Sequence, residues 1–259
     1  MQGEKLGFRL QLTLSFSQPV TRHAFALRCL PESGPGQRVL NASLTLQPAC
    51  EPMVTRDLHG LRHAGTVYEP HTLFQALASG AVETEPGAPG EAPPAWQLGP
   101  YRKPTPLTAW GPGLLALSEG PGGGDPVDAA MALLADRFIY LPGSTHAATT
   151  AEEAAAAMRG VCQDEAHIML ALLRHRGIPC RYVMGYMLGE GATHAWVEVL
   201  RDGKWLALDP TNRRAVNGEY IRVAVGRDAD DCPLNRGVFS GSALQQSQSR
   251  VSVWRMNEA

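Results

Sequence analysis

No Cys-x-x-Cys pair occurs in the sequence, and its five cysteines, Cys29, Cys50, Cys162, Cys180 and Cys232, are scattered and odd in number. That argues against a disulfide framework or a zinc ribbon and fits a reducing compartment. No run of 18 apolar residues is present, so no stretch reads as a membrane span. The opening residues, MQGEKL, lack the apolar region of a secretory signal. A cytoplasmic location is the expectation. Neither sign of charge dominates: 23 basic and 25 acidic side chains leave a net charge of −2. No basic field therefore argues for a nucleic acid or an anionic membrane as partner.

What is present is the composition of an ordinary globular protein, 44% hydrophobic and 19% charged over 259 residues. That length buries one large core or two small ones. Residues 1–82 read as β-rich. Phe8 to Phe16 and Ala42 to Leu46 alternate apolar and polar, as half-buried strands do, and Gly/Pro turns separate such runs. A sandwich-like β domain is expected there. His59, His63 and His71 do not make a convincing metal cluster, because Gly60 breaks the helix that an i, i+4 pair would need. Residues 83–125 are a Gly/Pro-rich connector whose Trp96, Tyr101 and Trp110 favour docking on the core. Residues 126–259 carry helices and then strands. Thr150 and Glu153 form a capping box for a short alanine-rich helix that leads to Cys162.

The stretch from Gly160 to Pro179 delivers Cys162 to the start of a helix. Ala166, Met169, Leu170 and Leu173 recur at three- and four-residue spacing. Gly177 and Pro179 end the helix. A thiol at a helix N-terminus meets the positive end of the dipole, which favours the nucleophilic thiolate. The alternative is a small buried hydrophobe. Downstream, Arg201-Asp202-Gly203-Lys204 signals a hairpin with a two-residue type I′ turn. In that register Trp196 opposes Asp209, and His194 is one diagonal step away, about 7–8 Å at the backbone. His194, Trp196, Glu198, Trp205, Ala207 and Asp209 then share one face. Ala195, Val197, Val199, Leu206 and Leu208 share the other, which is wholly apolar and is read as the core side. Taken singly, His194 reads as a surface side chain at a strand start and Asp209 as a turn former before Pro210. Together they place a carboxylate-oriented imidazole downstream of Cys162, which is what a thiol nucleophile needs.

Four segments carry a family resemblance: G-V-C-Q-D-E-A-H, R-H-R-G-I-P-C-R-Y-V-M-G-Y, T-H-A-W-V-E-V and W-L-A-L-D-P-T-N. They resemble the bacterial transglutaminase-like cysteine enzymes, and the N-terminal β region is similar to the domain preceding the core in bacterial members. The resemblance implies an α+β fold with a papain-like core, in which a Cys-bearing helix packs on an antiparallel sheet. It maps a catalytic triad onto Cys162, His194 and Asp209. It implies acyl transfer from an amide or peptide through a thioester, most simply hydrolysis, with amine transfer to a glutamine-like amide as the alternative. A non-catalytic peptide-binding module is the reading from another class. The acyl donor is a peptide or a small amide, and no cofactor or metal is called for. The sequence departs from the animal cross-linking enzymes in having Val161, not Trp, beside the nucleophile, and in having Glu165 where an aromatic is expected. The Cys162 backbone N–H is one oxyanion donor, with Tyr140 the candidate second. Gln163 is a candidate substrate contact and Trp196 a candidate cleft wall. His167 reads as a structural hydrogen-bonder, and Cys180 and Cys232 as inert.

Overall fold

The structure is a computed structural model that describes residues 3–85, 90–118 and 124–256. Positions 86–89 and 119–123, within the two Gly/Pro runs expected to be irregular, lie outside the described residues. The fold is α+β. Strand β1 (Glu4–Leu27) is the longest element. Its alternation is real burial, since Leu6, Phe8, Leu10, Leu12, Leu14 and Phe16 all point into the core. Its first half lies between β5 (His71–Thr84) and β15 (Gln245–Arg255). After an irregularity that includes Arg22 at φ +47°, its second half pairs with β4 (Gly60–Val67) and β14 (Asn235–Ser240). Strands β2 (Gln37–Gln47), β3 (Met53–Asp57) and β9 (Gly189–Gly191) complete an eight-stranded antiparallel sheet. One strand serving both halves is what makes this sheet curl.

The tail, expected with the core at 126–259, instead leaves it. β14 and β15 flank β1, where Val251 and Val253 oppose Leu10 and Phe8. Without them β1 would be a long unpaired edge, the hazard that β proteins avoid. The two sequence-defined β and α+β regions are thus closed by one chain end.

The second layer holds α1 (Pro112–Ser118), α2 (Pro126–Arg137), α3 (Ala151–Ala157) and α4 (Cys162–His175). Of these, α4 packs against a five-stranded sheet of order β12 (Arg214–Ala215), β11 (Lys204–Asp209), β10 (His194–Arg201), β8 (Cys180–Met187) and β13 (Tyr220–Gly226), and α1, α2 and α3 pack around α4. A two-stranded parallel ribbon of β6 (Ile139–Tyr140) and β7 (Arg159–Gly160) lies beside the start of α4. The α4 stripe of Ala166, Met169, Leu170 and Leu173 is fully buried, but so are His167 and Ile168, because α4 lies between the sheet, whose Tyr182 meets the His167 ring at 5.5 Å, and α1, α2 and α3. The buried Arg174 guanidinium ties the helix end to Thr108 Oγ1, Cys180 O and Arg227 O.

The β10–β11 hairpin has the expected register, from Val197 opposite Leu208 to Arg201 opposite Lys204. Asp202 and Gly203 both have positive φ, +49° and +73°, as a type I′ turn requires. The face read as the open one is covered too. Trp196, Glu198 and Trp205 are all buried. Glu198 is ion-paired with Arg181 and Arg222, and Tyr101 meets the Trp205 ring edge-on at 5.8 Å. The connector therefore docks through Tyr101, and also through Trp110, which stacks on His175 at 3.9 Å. Trp96 does not dock in this way; it is 80% exposed.

Candidate active site

Local chemistry fixes where Cys162 sits. The Thr150–Glu153 capping box starts α3, and Met158, left-handed at φ +47°, ends it and turns the chain into β7. Gly160 follows at a point where no side chain fits, since a Cβ there would lie 2.4 Å from Asp164 Oδ2. That carboxylate oxygen accepts from the Val161 N–H and from Thr145 Oγ1, both at 2.7 Å. Burial raises the Asp164 pKa, against these hydrogen bonds. Gln163 Nε2 donates to Ala147 O at 3.0 Å. The first turn of α4 is thus stapled to the 141–150 loop, and Cys162 is its first residue, buried but not closed off at 9% exposure.

His194 opens β10. Its Nε2 lies 2.7 Å from Asp209 Oδ2, leaving Nδ1 for other partners. Burial alone would lower the His194 pKa. Hydrogen bonds and charge from Asp209 and Cys162 outweigh burial and raise it to about 10. Asp209 is fully buried. Its Oδ2 also accepts from Asn212 Nδ2 and the Tyr220 hydroxyl, each at 2.7 Å, and its Oδ1 from the Asn212 N–H at 3.1 Å. Burial pushes this carboxyl up, but those donors and the His194 charge win and hold it below its ordinary value. Arg214 Nε donates to the Tyr220 hydroxyl at 3.1 Å, and Arg214 pairs with Glu219. The buried charge is met from three sides, as a buried carboxylate must be.

Glu165 lies one turn beyond Cys162 on α4. It is 4% exposed, and its Oε2 accepts from Thr211 Oγ1 at 2.6 Å. Burial raises its pKa to about 7; the Thr211 hydrogen bond opposes this and the Asp209 charge adds to it. Tyr140 is 52% exposed on β6, with a pKa raised by partial burial and by the charges of Cys162 and Glu165. In the β6–β7 ladder it is paired with Gly160, two residues before Cys162.

Other expected site residues go elsewhere. Trp196 is 2% exposed and packs on Val183, Ala207 and Tyr220, its ring 6.3 Å from that of His194. It supports the imidazole from beneath and cannot wall an open cleft, because the curled sheet's loops cover that face. Gln163 spends its amide donor on the loop backbone. His167 is fully buried, its Nε2 accepts from the Ala229 N–H, and burial lowers its pKa to about 4. The buried thiols of Cys180, pushed up to about 12, and Cys232, also raised, are poor nucleophiles. His71 pairs with His23 at 3.2 Å, while His59 reaches Val225 O, so the three histidines do not converge. Sequence reasoning missed Asn212 and Tyr220 as partners of Asp209. Asn212 had a signal, a second Asx-type side chain three residues on; Tyr220 had none, being placed by β13 from across the sheet.

Comparison with known proteins agrees with this architecture. The family model for the transglutaminase-like superfamily matches residues 117–210, and that for the bacterial transglutaminase-like N-terminal region matches 7–83. An uncharacterized protein of Mycobacterium leprae is 30% identical, covering 93% of this chain and 95% of its own. An uncharacterized protein of Mycobacterium tuberculosis is 32% identical, covering 81% and 79%. The crystal structure of a candidate cysteine protease from Cytophaga hutchinsonii shares the fold, with a TM-score of 0.79 over 100% of this chain and 93% of that one at 22% identity. The two matched regions and the full-length relatives together show that the chain belongs to the transglutaminase-like superfamily and carries its bacterial N-terminal region.

Proposed function

We propose that the protein is a thiol-dependent acyl-transfer enzyme that cleaves an amide of a peptide by hydrolysis, with Cys162, His194 and Asp209 as its catalytic groups. The observation that carries this is a half-buried imidazole held at 2.7 Å by a fully buried carboxylate, with the thiol of Cys162 among the groups that raise its pKa. In this reading the Cys162 sulfur attacks the amide carbon. The carbonyl oxygen takes the developing charge against backbone N–H groups at the start of α4, with the Tyr140 hydroxyl as a second donor. The C–N bond breaks, and the departing amine takes the His194 proton. Water then attacks the thioester, giving its proton back to His194, and the thiolate leaves. Asp209 keeps Nε2 protonated and offsets the imidazolium charge throughout. The pH dependence of Cys162 alkylation by iodoacetamide, located by mass spectrometry, tests this. Fast labelling well below the free-thiol pKa of about 8.5, lost in His194→Ala, supports it. Labelling that rises only at alkaline pH and ignores the substitution would overturn it. Incorporation of a primary amine in place of water would mark the same site as a transamidase.

A further inference from the structure

Three bulky apolar residues in a row, Ile139, Tyr140 and Leu141, are 64%, 52% and 44% exposed. Their strand pairs with β7, the segment that leads into Cys162. Leu141 N–H donates to Gly160 O at 2.7 Å and Ile139 N–H to Met158 O at 3.0 Å, which fastens this strand to the segment that leads into Val161 and Cys162. Backbone groups of alternate residues in a strand point to opposite sides. Because 139 and 141 donate inward to β7, the N–H and C=O of Tyr140 point outward. Among the described residues, β6 has no strand on that outer edge. A solvent-facing strand edge is a template for another chain, and natural sequences usually blunt it with charge. Here it is flanked by Pro142 and Gly143 and carries no charge from Phe138 to Thr145. A contiguous apolar surface on such an edge marks an interaction site.

We propose that the outer edge of β6 is the docking strand for the acyl donor: an extended polypeptide pairs its backbone with the N–H and C=O of Tyr140 and lays apolar side chains on Ile139 and Leu141. The substrate class that follows is a peptide with bulky apolar residues beside the reacting amide, not a small free amide. This rests on the acyl-transfer reading of Cys162. Strand addition supplies affinity through main-chain hydrogen bonds and selectivity through side-chain contacts. The edge is two residues long, so pairing is brief and the product can leave. Tyr140 also links docking to chemistry, since the residue whose backbone would hold the chain pairs with Gly160, two residues before the nucleophile.

The test uses thiol-directed peptidyl acyloxymethyl ketones on the full chain, with labelling read at Cys162. One probe carries leucines beside the reactive carbonyl, a second serines, and a third is the leucine probe N-methylated along its backbone. Iodoacetamide is the reference. The leucine probe is expected to label about tenfold faster than the serine probe. N-methylation is expected to slow it about fivefold, the worth of one hydrogen bond. In Ile139→Ser/Leu141→Ser, two exposed positions, the leucine preference is lost while iodoacetamide still labels Cys162. Equal rates for all three probes, with iodoacetamide labelling fast and His194-dependent, would overturn the docking strand and leave the acyl-transfer reading standing. Slow, His194-independent iodoacetamide labelling would overturn both. A stable dimer in which β6 amides are protected from hydrogen exchange would show a second copy on this edge and overturn the proposal.

Discussion

Replacing Glu165 by glutamine removes a titration that weakens the fold as pH rises from about 4.5 to about 7. The carboxyl is buried and its pKa is raised from 4.5 to about 7. A group whose native pKa lies above its unfolded value binds its proton more tightly when folded, so stability falls as pH rises between the two values. The full effect of moving from 4.5 to about 7 is roughly 3 kcal/mol, of which about 2.5 kcal/mol accrues between pH 5 and pH 8. The glutamine side chain would keep an acceptor for Thr211 Oγ1, now 2.6 Å from the carboxylate, but nothing to ionise. Urea unfolding followed by tryptophan fluorescence at pH 5, 6, 7 and 8 measures this. The difference between Glu165→Gln and the parent isolates the one group, because His23 and His167, both lowered to about 4, titrate in each protein. The variant is expected to gain on the parent as pH rises, by about 1 M in midpoint at pH 8 with unchanged slope. A midpoint difference that stays flat from pH 5 to 8 would refute the reasoning, because it would mean that Glu165 ionises in the native protein as it does in water.

Tyr220→Phe keeps the ring but removes one of the donors to Asp209 Oδ2; turnover or Cys162 labelling at neutral pH should fall about tenfold, with little change in the far-UV spectrum. Asp209→Asn should bring the His194 pKa down from about 10. The stability linked to the imidazolium, fully present below 6.5 and lost as pH rises through about 10, should then shrink, which NMR titration of the His194 ring and melting at pH 6 and pH 10 would follow. Arg174→Met leaves the buried Asp228 without its neighbouring charge and frees the carbonyls of Cys180 and Arg227; a loss of about 3 kcal/mol in denaturant unfolding is expected. Gly160→Ala forces a methyl against the Asp164 carboxylate, so alkylation of Cys162 should slow even if the fold survives.

The parts of this molecule that were legible in the sequence are those set by short-range rules. The type I′ hairpin needs only Asp202-Gly203, and its register then puts His194 and Asp209 at the same end of the sheet without reference to any other element. The helix start at Cys162 and its end at Gly177 are likewise local. What the sequence did not carry is which surfaces are covered. Trp196 read as walling a cleft and Glu165 as an unusual replacement for an aromatic, because period and spacing say which residues share a face and not what lies on it. Thr211 reaches Glu165 only after the chain has turned at Pro210, and the covering of Trp196 comes from residues more than a hundred positions earlier. The fate of the tail has the same cause. β15 alternates just as a core strand would, and only the need of β1 for a partner on each side decides which sheet takes it. Burial of Glu165 is thus a tertiary event with a chemical consequence. A helix-N-terminal carboxylate that would be unremarked in water becomes a group titrating near neutrality one turn from the thiol.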